Sequence, residues 1–124
     1  MLMKGGKMYK IGQFAEIVQT SIRTLRFYDK IDLFKPEEID LFTNYRYYSK
    51  KQVEDFYLIT KLKEVGFSLE EIKENWGNFN DKLLLQKKEE LLQNKNSIDK
   101  QIKKLDRMRS VINKTKSVKV LRKE

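Results

Sequence analysis

Apolar residues recur with two different rhythms along the chain. From Asn80 onward Leu84, Leu91, Ile98, Leu105 and Ile112 fall seven residues apart, and Leu92, Ile102 and Met108 widen the stripe. No Pro or Gly interrupts residues 80–124. This pattern predicts one long helix, a rod of roughly 33 residues and about 50 Å at 1.5 Å per residue. A sustained seven-residue repeat cannot be covered by its own helix and calls for a partner helix. The expected partner is a second copy; packing on a domain outside this chain is the other reading.

Before Asn80 the pattern is shorter and repeatedly broken. Ile11, Phe14, Ala15 and Val18 have helical spacing, and Thr20 and Ser21 are N-cap residues for a second helix with Ile22, Leu25 and Phe27 or Tyr28 facing inward. Two short helices joined at Gln19-Thr20 predict a helix-turn-helix. Pro36 stops any continuation. The aromatic-rich stretch "IDLFTNYRYYS" predicts a small hairpin with its tip near Thr43 and Asn44. Capping boxes at Ser49–Gln52 and Ser68–Glu71 start a helix ending at Gly66 and a shorter one from Leu69 to about Trp76. The division is a frayed tail at 1–8, a helix-turn-helix domain with its hairpin at 9–78, a coiled-coil helix at 79–116 and, at 117–124, a tail or the start of a further domain. The Asn- and Gly-rich "NWGNFND" forms the join. The fold class is mainly α, a helix-turn-helix with a small hairpin followed by one long helix that pairs in a coiled coil.

Charge sharpens that division. The whole chain carries a formal +9, from 27 Lys/Arg against 18 Asp/Glu. Residues 1–79 hold 13 basic against 12 acidic side chains, net +1; residues 80–124 hold 14 against 6, net +8. A basic balance favours polyanionic partners. With neither Cys nor His, disulfides, thiolate metal sites and Cys- or His-based catalysis are excluded. Carboxylates such as Glu70, Glu71, Glu74, Glu89 and Glu90 lie beside lysines on helices, as solvated faces do, so no enzyme or cofactor is expected. A hard cation on carboxylates stays open, but no acidic loop has calcium-site spacing and no metal site is assigned. No apolar run approaches the ~20 residues that span a bilayer.

The segment "SIRTLRFYDKIDLFKP" carries the candidate chemistry. Arg23, Arg26 and Lys30 follow at helical spacing and share much of one face, while Ser21 and Thr24 are small enough for close approach. Arginines reach base edges and hydroxyls donate to phosphate. The plain alternative is a solvated face paired with Asp29 and Asp32.

"YKIGQFA", "SIRTLRFYD", "LFKP", "NYRYYS" and "LKEVGFSLEEI" occur in one order across Tyr9 to Ile72. That series resembles the MerR family of bacterial transcription regulators, and "YDKIDLFKP" with "RYYS" is most similar to its multidrug-sensing branch. The resemblance implies a winged helix-turn-helix followed by a long dimerisation helix in an antiparallel coiled coil, with a recognition helix carrying Ser21, Arg23, Thr24, Arg26, Phe27, Tyr28 and Lys30. It implies a DNA-binding wing of Asn44, Tyr45 and Arg46 with Tyr48 at its base, and backbone contacts from Lys61 or Lys63. Leu25 and one ring of Phe27 and Tyr28 are expected in the core, and Tyr47 either packs under the wing or touches DNA. Arg46, at a hairpin tip, has the least structural purpose. Dimerisation falls to Leu84, Leu91, Ile98, Ile102, Leu105 and Ile112. Three positions depart from the pattern: Phe27 replaces a common tyrosine, and Asp32 and Asn44 stand where glycine is usual.

The implied activity is binding a promoter pseudo-palindrome as a homodimer and distorting it for RNA polymerase, at an efflux or multidrug-resistance gene, in the bacterial cytoplasm at the nucleoid. Metal-sensing relatives use cysteines, absent here. Drug-sensing relatives append a ligand domain, whose first strand Val118, Val120 and Leu121 could open; a small lipophilic effector has no site in this chain. The reading from a different class is a coiled-coil interaction module whose basic helix meets an acidic protein or membrane surface.

Overall fold

The computed structural model describes residues 6–118 of the chain. In order these form β1 (Met8–Lys10), α1 (Ile11–Val18), α2 (Ile22–Lys30), β2 (Glu38–Ile39), β3 (Arg46–Ser49), α3 (Lys51–Glu64), α4 (Leu69–Glu74) and α5 (Asp81–Val118). The chain divides into two compact units at Phe79/Asn80.

In the first unit, three antiparallel strands make a sheet of order β1-β3-β2. Tyr9 pairs with Tyr48, and Ile39 with Arg46. β1 corrects the expected frayed tail, because Met8 already lies in a strand opposite Ser49. A strand of three residues has no room for a legible alternation and is defined by its partner.

The helix-turn-helix forms as the pattern predicts. α1 ends in a reversed turn in which Thr20 N–H reaches Ala15 O at 2.9 Å, with Gln19 at φ 57° in the left-handed region that closes many helices. Ser21 caps α2, its Oγ accepting from Thr24 N–H at 3.0 Å. Ile22 is a correction: it is 41% exposed rather than inward. It stands in the first turn of α2 with its side chain beside Gly12 of α1, at the rim of the helix pair and outside the buried cluster.

α3 closes on a Schellman turn, with Gly66 at φ 101°, Gly66 N–H on Lys63 O and Phe67 N–H on Leu62 O. The Ser68 capping box is complete, Glu71 N–H on Ser68 Oγ at 3.0 Å and Ser68 N–H on Glu71 Oε1 at 2.8 Å. The Ser49 box is half formed. Ser49 N–H reaches Gln52 Oε1 at 3.0 Å, but Ser49 ends β3, and its Oγ has no partner among the described residues. α4 ends at Glu74, two residues earlier than expected.

The core is built on rings. Phe14 stacks on Tyr48 at 4.7 Å and on Phe34 at 5.9 Å, while Phe56 meets Phe34 edge-on at 5.6 Å. α1, β3, α3 and the segment after α2 thus meet in one pile, with Leu25, Ile59 and Ile72 fully buried around it. Offset and edge-on ring pairs contribute about 0.5–1.5 kcal/mol each beyond area burial.

The second unit is α5, 38 residues or about 57 Å. The expected end at 116 falls two residues short of Val118; Val120 and Leu121 lie outside the described residues. Leu84, Leu91, Ile98, Ile102, Leu105 and Ile112 are all about half exposed in this single chain. None of the described helices is long and apolar enough to cross a membrane.

Candidate nucleic-acid interface

α2 presents the cations that its sequence spaces. Its inward face is Leu25 and Tyr28, which are buried, so residues one and two positions away turn outward. Arg23, Arg26 and Lys30 are exposed and make no hydrogen bond or ion pair with other described residues. Ser21 Oγ donates to Thr24 Oγ1 at 2.9 Å, which ties the two hydroxyls together at the helix start. Phe27 stays half exposed.

Tyr28 belongs to the core. Its ring packs near Phe56 at 6.0 Å, and its hydroxyl accepts a hydrogen bond from Lys63 Nζ at 3.2 Å. Lys63 is therefore tethered to α2, at a depression lined by Thr20, Thr24, Tyr28 and Thr60. Lys61 points to solvent on the same helix.

The wing is the β2–β3 hairpin, and Asn44 holds its tip at φ 64°. Asp32 takes φ 60° after α2. Both residues therefore adopt the left-handed conformation expected of them in place of glycine. Tyr45 is half exposed, and Lys10 Nζ sits 4.7 Å above its ring centroid.

Two wing residues differ from expectation. Tyr48 is wholly buried under Phe14 and Phe34, so it cannot touch a ligand; alternation puts Tyr47 and Ser49 on the opposite face of β3, and Arg46 at the strand's start stays partly exposed. Burial, and then the nearby Asp29 charge, push its hydroxyl pKa up to about 12. Arg46 opens β3 rather than capping a free tip. Its Nε donates to Asp29 Oδ2 at 3.0 Å, so the arginine that lacked a structural purpose in the sequence has one.

Asp29 organises this corner. Lys35 Nζ reaches Asp29 Oδ1 and Asp32 Oδ1, each at 2.9 Å. Desolvation raises the Asp29 carboxyl, but the hydrogen bonds from Lys35 and Arg46 outweigh it, so its pKa lies below the ordinary carboxylate range. Hydrogen bonds from Asp29 and Asp32 hold the Lys35 pKa above its usual value.

Lys10, Gln13, Arg26, Asn44, Tyr45 and Arg46 line one open depression joining α1, α2 and the wing. Lys10 and Gln13 were not foreseen; "YKIGQFA" is the only signal that could have found them. No group of acidic residues able to hold a metal ion occurs among the described residues. What the arrangement offers is a row of cations beside a wing, suited to a polyanion with two grooves.

Comparison with known proteins agrees. Residues 9–75 match the family described as MerR HTH family regulatory protein. The multidrug-efflux transporter 1 regulator of Bacillus subtilis is 49% identical over 65 residues, 52% of this chain and 23% of that protein. The crystal structure of MtaN, the N-terminus of the Bacillus subtilis multidrug transporter activator, is 42% identical. It superposes with a TM-score of 0.73 over 81% of this chain and 96% of that one. HiNmlR, a MerR family regulator lacking the sensor domain and bound to promoter DNA, matches at 25% identity and TM-score 0.52, covering 90% of this chain and 89% of that one. The chain spans less than a quarter of the length of the transporter 1 regulator.

Proposed function

The chain belongs to the MerR family of helix-turn-helix regulators, and on that premise we propose that it binds a promoter pseudo-palindrome as a homodimer and regulates transcription by distorting it. The observation that carries this reading is the face of Arg23, Arg26 and Lys30 on a helix whose far side is locked into the core. That face sits beside a wing fixed to the same helix through Asp29 and Arg46. Arg26 reads base edges and Lys61, Asn44 and Tyr45 contact the backbone. Arg46 and Lys63 serve as cations while holding Asp29 and Tyr28.

Dimerisation rests on the exposed stripe of α5, which covers itself against the same stripe of a second copy. Bending and untwisting the operator costs several kcal/mol, repaid by phosphate contacts on both half-sites. RNA polymerase is then the partner that reads the altered spacing. Likeness to the efflux regulators supports an efflux or drug-resistance gene as the target. Nuclease footprinting of the chain's own upstream region tests this: protection of two symmetric half-sites, lost in Arg26→Ala, is expected. Uniform protection of any sequence would overturn it.

A further inference from the structure

Leu41 and Phe42, at the tip of the wing, are 94% and 97% exposed. The turn that carries them is tied down. Asp40 Oδ1 accepts from Phe42 N–H at 2.8 Å and Thr43 N–H at 3.4 Å. Asp40 O accepts from Asn44 N–H at 2.7 Å, and Tyr45 O from Asp40 N–H at 2.9 Å. The acid nearest the tip is thus committed to the loop's own amides, and Glu38 turns one carboxylate oxygen into the interior. Lys10, Arg26 and Arg46 line the depression bordered by Asn44 and Tyr45, the residues that follow the tip.

Two side chains supply far less than the roughly 800 Å² per partner of a stable protein interface. They are the size of the Leu and Phe wedges that open one base step from the minor groove. A cationic surround fits phosphates flanking such a step and disfavours a purely apolar docking partner. We propose that Leu41 and Phe42 form an apolar wedge that enters the DNA groove next to the one taken by α2. There they pack on deoxyribose and a partly unstacked step, so the wing helps to kink the duplex as well as to neutralise phosphate. This rests on the reading of the chain as a promoter-binding regulator.

The test uses the full chain and a duplex of its upstream promoter carrying a donor and an acceptor at its ends. L41S/F42S should bind about tenfold more weakly than wild type, with an unchanged salt slope, because no counterion contact is removed, and with less end-to-end approach. A second probe is F42W in a W76F background, which leaves one tryptophan, at the tip; its emission should be quenched by duplex through stacking. If wild type binds and bends the promoter and L41S/F42S matches it, only the wedge fails. If L41S/F42S matches wild type on DNA yet loses promoter activation with polymerase, the tip contacts protein and the wedge is overturned. If wild type does not distinguish its promoter from scrambled duplex, the regulator reading falls and takes the wedge with it.

Discussion

Arg46 Nε donates to Asp29 Oδ2 at 3.0 Å across seventeen positions of sequence, linking the first residue of β3 to the helix that carries Arg26. Wing and helix are thereby held at one relative orientation, and Lys35 on the other carboxylate oxygen closes the corner.

Asp29→Asn keeps the shape and removes the charge. Stability should fall by about 1–2 kcal/mol in urea denaturation, and promoter affinity should fall with it as the wing loosens. The pH dependence follows from the sign of the shift: a carboxyl whose folded pKa is depressed stabilises above its unfolded pKa, near 3.9, and loses that contribution as pH falls through the folded value. The variant should therefore lose part of the wild-type drop in stability below about pH 4. An unchanged acid limb would mean the pair is not formed in solution.

Arg26 and Lys61 should behave differently. Arg26→Ala should cost on the order of 1–3 kcal/mol and relax base preference. Lys61→Ala should weaken all duplexes alike and lower the salt slope by about one. Competition binding with point-substituted operators separates the two; identical behaviour on specific and random duplexes would remove α2 from the groove.

Tyr48 supplies a prediction from a corrected expectation. Its hydroxyl is buried without a hydrogen-bond partner among the described residues, so Tyr48→Phe should change stability by less than about 1 kcal/mol and leave DNA affinity intact. Phe14→Ala, removing the ring beneath it, should cost about 3–5 kcal/mol in thermal unfolding. A large affinity loss in Tyr48→Phe would return that residue to the interface.

Ile98→Lys or Leu91→Lys places a charge in the half-exposed stripe of α5, where pairing would bury it without a partner. Sedimentation equilibrium should show monomers. Dimers of unchanged stability would sink the seven-residue argument.

What the sequence made legible was whatever depends on local chemistry. The spacing of Phe14, Ala15 and Val18, the Ser21 cap and the Gly66 stop are readable because each acts within one or two turns. Asp32 and Asn44 were readable as turn residues for the same reason. Long-range partners were not. β1 exists only because β3 pairs with it, and Tyr48 became a wing contact in the sequence because its inward direction depends on strand register. Arg46 was assigned to DNA alone because nothing local announces Asp29 as its partner. The likeness to known regulators drew attention to the proposed interface region, and the packing separates the side chains there that face out from those that are held.

The most direct test of the central claim is a fluorescence-anisotropy titration of the purified chain against its own upstream promoter and a scrambled duplex, at two salt concentrations. The account predicts tight, promoter-selective binding by a dimer, with selectivity surviving the higher salt. Equal and steeply salt-dependent binding to both duplexes would contradict it, leaving a basic surface and a coiled-coil helix as the features that matter.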